Sequence, residues 1–235
     1  MNKMEALKKI IYLFARNSIN ILPIKIYEND EDLDIVLVNK SQLNQAREAL
    51  KRSGFFLCNN LSKIRETDKD FYCSKSLPYK IHLHRALSWN TIEYLDINKT
   101  WKRKIWINDL PIPSPEDEIL IIAAHSIFEN KYIKKIEFEH YHKLIKNRVD
   151  WDYIENVARE FHWVKALNLF RKTINQKQRI FPIGNLFSVS MHKLICDMLS
   201  GKILRLPRLF FTYFLVDYFW CYRKAKSKAK YERES

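Results

Sequence analysis

The stretch DLDIVLV, residues 32–38, combines two acidic side chains with the pattern of a buried β-strand. Residues i and i+2 of a strand project from the same face, so Asp32 and Asp34 point to one side and Leu33 to the other. The four residues after Asp34 are apolar without alternation, which is typical of a strand buried on both faces. The stretch therefore predicts a central strand of a sheet that begins with two neighbouring carboxylates.

Two carboxylates on one face have two explanations. Like charges repel at this distance, and a divalent cation with oxygen ligands relieves the repulsion. The alternative is a polar turn over residues 28–31 that leads into an ordinary strand. Both interpretations stay open on spacing alone, and a metal site at Asp32 and Asp34 is the more specific hypothesis.

The composition limits the classes of function. Only three of the 235 residues are glycine, which excludes glycine-rich phosphate loops such as the P-loop and the dinucleotide fingerprint. The formal net charge of +14 favours an anionic partner, which is a nucleotide, a nucleic acid or a membrane surface. A basic surface that is only solvated explains the charge equally well.

The cysteines and the N-terminus both suggest a cytoplasmic protein. No two cysteines form a C-x-x-C pair, so neither a zinc knuckle nor a thioredoxin-type motif is supported. The first 17 residues have the pattern of an amphipathic helix, not of a signal peptide. We predict reduced thiols at all four cysteine positions: Cys58, Cys73, Cys196 and Cys221.

A change of pattern divides the chain. Up to residue 110, short β-branched and aromatic runs alternate with helical segments, which predicts a small mixed sheet of four to six strands with flanking helices. Pro111, Pro113 and Pro115 follow, and from Pro115 onward the periodicity is helical. The prediction is an α+β protein, with an α/β domain over residues 1–110 and an all-helical domain over residues 111–235.

Three histidines and one lysine are further candidates. In YKIHLHRAL, residues 79–87, alternation puts His82 and His84 on one face of a strand. Lys25 lies on the strand before the paired aspartates. An exposed position on a strand explains these three residues equally well. His125 lies on an apolar helix face, and we expect a core histidine with a hydrogen-bonding partner rather than a ligand.

Four features, taken in order, resemble the nucleotidyltransferase superfamily, in particular its uncharacterised bacterial and archaeal nucleotidyltransferase-like family. They are a helix and strand ahead of DLDIVLV, the helix and glycine turn in QAREALKRSGF, the histidine-bearing strand IHLHRAL, and the helix start SPEDEILIIAAHSIF. The resemblance covers about residues 20–145. Its order and spacing are more specific than any single feature.

The resemblance implies both a fold and a chemistry. Members of the superfamily carry two strand aspartates and a third carboxylate, which bind two magnesium ions and hold a nucleoside triphosphate for attack by a hydroxyl group. By matching, Asp32 and Asp34 are the catalytic residues and the ligands of Mg²⁺ or Mn²⁺. Lys25, His82 and His84 are matched to nucleotide binding. The implied partners are an NTP substrate and a hydroxyl acceptor of unknown identity.

The chain departs from the family pattern in two places. No glycine precedes Gly54, so the usual glycine turn ahead of the paired aspartates is missing. His82 stands at the third carboxylate, and an imidazole brings no negative charge and suits magnesium poorly. Asp68, Asp70 and Glu93 are substitutes that the sequence does not rank. Two alternatives to an active transferase remain: a nucleotidyltransferase fold that binds without catalysis, and a basic adaptor for nucleic acid or anionic membrane.

The end of the chain carries an aromatic and basic segment. Its apolar run, residues 209–222, is shorter than the ~20 residues that a membrane-spanning helix needs. We predict that residues 207–222 pack on the helical domain and leave residues 223–235 exposed. The alternative is a helix in the interface of an anionic membrane, which makes the protein membrane-peripheral.

Overall fold

The computed structural model describes residues 2–27, 32–58, 69–89 and 92–200, together with residues 222, 223 and 227. These residues form a five-stranded mixed sheet, two short hairpins and a series of helices, which confirms the predicted α+β class. The chain divides into two compact units, Met1–Glu118 and Ile119–Ser235. The first unit thus extends beyond the three prolines.

The first unit alternates helices and strands. Its helices are α1 (Lys3–Arg16), α2 (Leu43–Arg52), α3 (Ile97–Arg103) and the first turn of α4 (Pro115–Ala124). Its strands are β1 (Ile21–Ile24), β2 (Asp32–Leu37), β3 (Phe56–Leu57), β4 (Lys69–Cys73), β5 (Lys80–His84), β6 (Leu87–Trp89), β7 (Ile92–Leu95), β8 (Ile105–Ile107) and β9 (Leu110–Ile112). The sheet has the order β1-β2-β5-β4-β3, and β2 and β5 are its parallel pair.

One face of the sheet belongs to the apolar core of the first unit. Leu33 and Ile35 of β2 and Ile81 and Leu83 of β5 lie in one buried cluster with apolar residues of α1 and α2. Because side chains alternate along a strand, the residues between them project from the opposite face. The carboxylates of β2 and the histidines of β5 therefore share that second face.

The β3–β4 hairpin corrects one prediction. Cys58, directly after β3, and Cys73, the last residue of β4, form a disulfide with their Cα atoms 5.7 Å apart. The antiparallel pairing brings them together, and the Cys58 amide donates a hydrogen bond to the Phe71 carbonyl at 2.9 Å. The prediction of reduced thiols is wrong for this pair, and the cytoplasmic location loses the support that it took from them. Cys196 is a free thiol.

The second unit is mainly helical in the part that the structure describes. After α4 come a π-helical turn (His125–Asn130), α5 (Lys135–Leu144), α6 (Trp151–Glu160), α7 (Val164–Asn175) and α8 (Ile183–Leu199). Most of the predicted C-terminal aromatic and basic segment lies outside the described residues. Within it, the Tyr222 hydroxyl donates a hydrogen bond to the Phe181 carbonyl at 3.3 Å. None of the described helices is both long and apolar enough to cross a membrane.

A buried ion pair holds the π-helical turn against α5. Glu137 is fully buried and contacts His125 Nδ1 at 2.5 Å. Its second oxygen accepts hydrogen bonds from the Ser126 hydroxyl at 3.3 Å and the Lys134 amide at 3.1 Å. Burial alone would raise the pKa of Glu137, but the charge and hydrogen bond of His125 hold that pKa below its ordinary value. The expected core role of His125 is confirmed.

Glu137→Gln tests this pair. The lowered pKa means that the carboxylate stabilises the folded state fully above its unfolded pKa, near 4.5, and that this contribution is lost as the pH falls through the lower folded value. We expect Glu137→Gln to lower the free energy of unfolding by about 2 kcal/mol at neutral pH. The deficit should shrink as the pH falls below that range. Urea unfolding followed by circular dichroism measures it.

The control is Glu139→Gln, the same change at an exposed position of α5. It should leave the free energy of unfolding within about 0.5 kcal/mol of the unchanged protein. A deficit for Glu137→Gln that does not vary with pH would contradict the role of the ionised carboxylate.

Candidate functional site

The central strands bring the paired aspartates and two histidines together. β2 and β5 run parallel, with Asp34 opposite His82 and Val36 opposite His84. His82 lies between the carboxylates, with Nε2 3.4 Å from Asp32 Oδ1 and Nδ1 3.3 Å from Asp34 Oδ1. His84 Nε2 is 2.7 Å from the same Asp34 oxygen. The four polar side chains thus form one cluster on the second face of the sheet.

A buried lysine neutralises Asp34. The Lys25 ammonium is 3.0 Å from Asp34 Oδ2, and both side chains are less than a tenth exposed. Lys25 follows β1 with a φ of 53°, in the left-handed region that residues other than glycine seldom adopt. The Tyr27 amide donates a hydrogen bond to the Lys25 carbonyl at 2.9 Å. This costly backbone conformation occurs at the residue whose ammonium meets Asp34.

The surroundings of Asp34 fix the charges in the cluster. Burial alone would raise the pKa of Asp34, but the Lys25 ammonium and hydrogen bonds from His82 and His84 hold that pKa well below its usual value. Burial lowers the pKa of His84 to about 4, despite its hydrogen bond to Asp34. His84 is therefore neutral at neutral pH. Its 2.7 Å contact with a carboxylate requires the single ring hydrogen on Nε2, so His84 donates to Asp34.

The donor set fits a divalent cation. Asp34, His82 and His84 each offer one ligand atom, and these atoms lie within 4.8 Å of one another. Asp32 adds a carboxylate that is 32% exposed and lies next to His82. Carboxylate oxygens suit Mg²⁺ and Mn²⁺, while imidazole nitrogens shift the preference towards transition metals. Because Lys25 and His84 already engage Asp34, Asp32 is the more accessible carboxylate.

Comparison with known proteins places this sheet in a family. Residues 30–176 match a family described as an uncharacterised nucleotidyltransferase. The chain belongs to this family. The match begins immediately before β2 and includes β5, so it contains the aspartates and both histidines. No curated protein and no solved structure matches the chain. The match confirms two predictions from the sequence: the nucleotidyltransferase-like fold and, in general terms, a nucleotidyltransferase-like function.

Two residues of β4, which the sequence pattern did not single out, lie beside the cluster of aspartates and histidines. Lys69 lies opposite His84, and Phe71 lies opposite His82 with the two ring centroids 4.7 Å apart, edge to face. Lys69 is 9% exposed, and its charge helps to lower the pKa of His84, after the larger effect of burial. The alternation of Lys69 and Phe71 was visible in the sequence. Only the pairing of β4 with β5 shows which face they occupy.

Two of the three substitutes considered for the third carboxylate, Asp70 and Glu93, form ion pairs with basic side chains. Asp70 lies on β4 and forms ion pairs with Arg47 at 2.8 Å and Arg85 at 3.0 Å. Glu93 pairs with a surface lysine at 2.6 Å. Asp68 lies outside the described residues. Asp70 and Glu93 are therefore each paired with basic side chains away from the Asp34 cluster.

The two aspartates of this cluster should differ in their effect on stability. Asp34→Asn removes the carboxylate charge that the buried Lys25 ammonium faces, and breaking such a pair costs roughly 3–5 kcal/mol. Asp32 is partly exposed, and Asp32→Asn should cost less than about 1 kcal/mol. Chemical unfolding at neutral pH measures both changes. If Asp34→Asn lowers the free energy of unfolding as little as Asp32→Asn does, the Asp34–Lys25 pair contributes little to the stability of the fold.

Proposed function

We propose that this protein is a metal-dependent nucleotidyltransferase that transfers a nucleotidyl group from an NTP to a hydroxyl acceptor. The family match supports the general reaction. The observation that carries the proposal is the convergence of Asp32, Asp34, His82 and His84 at the centre of the sheet. Carboxylates and imidazoles at this spacing provide ligands for a divalent cation, and the buried lysines Lys25 and Lys69 lie beside them.

Each residue of the cluster has a role in this reaction. Asp32 and Asp34 would hold the Mg²⁺ or Mn²⁺, which when bound neutralises charge on the triphosphate. His84 donates to Asp34 and keeps that carboxylate in one orientation. Lys25 and Lys69 supply positive charge for the phosphates, as predicted for Lys25 from the sequence. The acceptor hydroxyl loses its proton to the solvent and its oxygen forms a bond to the α-phosphorus. The bond from the α-phosphorus to the oxygen shared with the β-phosphorus breaks, and pyrophosphate leaves.

One structural observation favours a second candidate function, nucleotide binding without catalysis. Both oxygens of Asp34 already contact groups of the protein, namely Lys25, His82 and His84. A site with one accessible carboxylate, Asp32, has less negative charge for holding two metal ions. This candidate predicts that nucleotides bind but are not turned over with either Mg²⁺ or Mn²⁺.

Two measurements separate these functions. A thermal-shift screen of the four NTPs with each metal detects binding, because a ligand of the folded state raises its melting temperature. The NTP that binds is then labelled at its α-phosphate and offered protein, RNA and small hydroxyl compounds as acceptors. A transferase attaches the label to one acceptor and releases pyrophosphate. Binding without label transfer across all the acceptors would favour the binding module.

Asp32→Asn is the decisive variant, because it should remain folded. We expect it to lose the metal-dependent thermal shift and at least about 100-fold of the transfer rate, since a group that stabilises developing charge is removed. Asp152→Asn, the same change at an exposed position of α6, is the matched control. Unimpaired nucleotide binding and transfer in Asp32→Asn would refute the proposed site.

A further inference from the structure

Both oxygens of Asp34 are occupied by groups of the protein itself. Oδ2 meets the Lys25 ammonium at 3.0 Å, and Oδ1 meets His84 Nε2 at 2.7 Å and His82 Nδ1 at 3.3 Å. The side chains of Lys25 and Asp34 are 8% and 3% exposed, so water screens their attraction little. A metal cation that binds Asp34 must therefore displace one of these groups or share the carboxylate with it.

Lys25 is the partner of Asp34 that a metal cation can displace most readily. His84 is buried on a central strand, and its Nε2 contacts Oδ1 of Asp34, whereas Lys25 contacts Oδ2, so His84 and a cation can use different oxygens of the carboxylate. Lys25 is positively charged and lies after the end of β1, on a flexible four-carbon side chain. A metal cation and an ammonium at one buried carboxylate repel each other strongly. The competition is therefore between the metal and Lys25.

We propose that Lys25 is a displaceable counter-ion of Asp34 that makes cation binding depend on the polyphosphate of the nucleotide. Without a triphosphate, the ammonium competes with the divalent cation for Oδ2. A bound triphosphate offers Lys25 new anionic oxygens and frees Asp34 for the cation. Cation and nucleotide then bind cooperatively, and the cation alone is held weakly. The proposal rests on the proposed function in one respect, namely that the ligand is a triphosphate.

Removing the charge of Lys25 tests the competition directly. Mn²⁺ alone, without nucleotide, is titrated into the full-length protein and followed by calorimetry or by electron paramagnetic resonance. We expect Lys25→Met to bind Mn²⁺ at least about tenfold more tightly than the unchanged protein, within the usual range of coupling between two sites. Lys25→Arg, which keeps the charge, should bind as weakly as the unchanged protein. Equal or weaker Mn²⁺ binding in Lys25→Met would overturn the proposal.

Two further variants serve as a control and as a substitute in this comparison. Lys40→Met removes a lysine that pairs with exposed Glu93 at 2.6 Å, and its Mn²⁺ affinity should equal that of the unchanged protein. Lys25→Gln removes the charge but keeps a hydrogen-bond donor for Asp34. If Lys25→Met does not fold, the Mn²⁺ affinity of Lys25→Gln is compared with that of the unchanged protein instead, with the same expected result. Circular dichroism confirms folding of each variant. Equal tightening in Lys40→Met and in the Lys25 variants would overturn the proposal, because general surface charge would then explain the effect.

Titrations in the presence of a nucleoside triphosphate test this proposal separately from the proposed function. In the unchanged protein, the triphosphate should raise the affinity for Mn²⁺, and Mn²⁺ should raise the affinity for the triphosphate by the same factor. That factor should be smaller in Lys25→Gln, because the competing charge is already gone, and an undiminished factor would overturn the proposal. If no nucleotide binds to the unchanged protein, the proposed function fails, while the titrations with Mn²⁺ alone still decide the role of Lys25.

Discussion

The charge of Asp34 is the constraint on which the central sheet depends. A carboxylate in this position is stable only with compensating partners, and three residues supply them: Lys25 after β1, and His82 and His84 on β5. The pairing register must therefore be correct on both sides of β2. A slip of one residue would turn Asp34 towards the apolar cluster that contains Leu33 and would point hydrophobic side chains away from it.

The two aspartates that look equivalent in the sequence are not equivalent in the structure. Asp34 is buried, charged and fully engaged, whereas Asp32 is partly exposed and contacts the same imidazole from the other side. Asp34 therefore belongs as much to the fold as to any chemistry. Asp32 is the carboxylate that can be altered with the least damage to the structure. A loss of function in an Asp34 variant alone would thus say little about mechanism.

Local patterns in the sequence predicted those parts of the structure that depend on alternation or helical periodicity. The shared face of Asp32 and Asp34 and that of His82 and His84 follow from a strand period of two. The helical second unit followed from its periodicity after Pro115. In each case the residues that carry the signal are close together in the chain, so a single sequence contains the information.

Contacts between distant segments were beyond such reasoning. The family resemblance led us to expect His82 on the strand next to the aspartates, but no local pattern indicated that β2 and β5 pair in parallel, or that Cys58 and Cys73 meet. The sequence suggested Lys25 only as a phosphate-binding residue and did not reveal its ion pair with Asp34. Nothing in the neighbouring residues indicates the left-handed backbone conformation of Lys25. Lys69 was overlooked because its face depends on which strand it pairs with. These features are set by long-range packing, which overrides local preference.

The parallel pairing of β2 with β5 also determines when the site can exist during folding. Asp34 lies 48 residues before His82 and 50 before His84, and the chain between them forms α2, β3 and β4. Closing so long a loop loses entropy before the contacts can compensate it, so this pairing belongs to the later steps of folding. During synthesis, Lys25 and Asp34 leave the ribosome well before the histidines. The cluster is therefore assembled only when β5 has been added to the sheet, and an intact cluster shows that β1, β2 and β5 are in place.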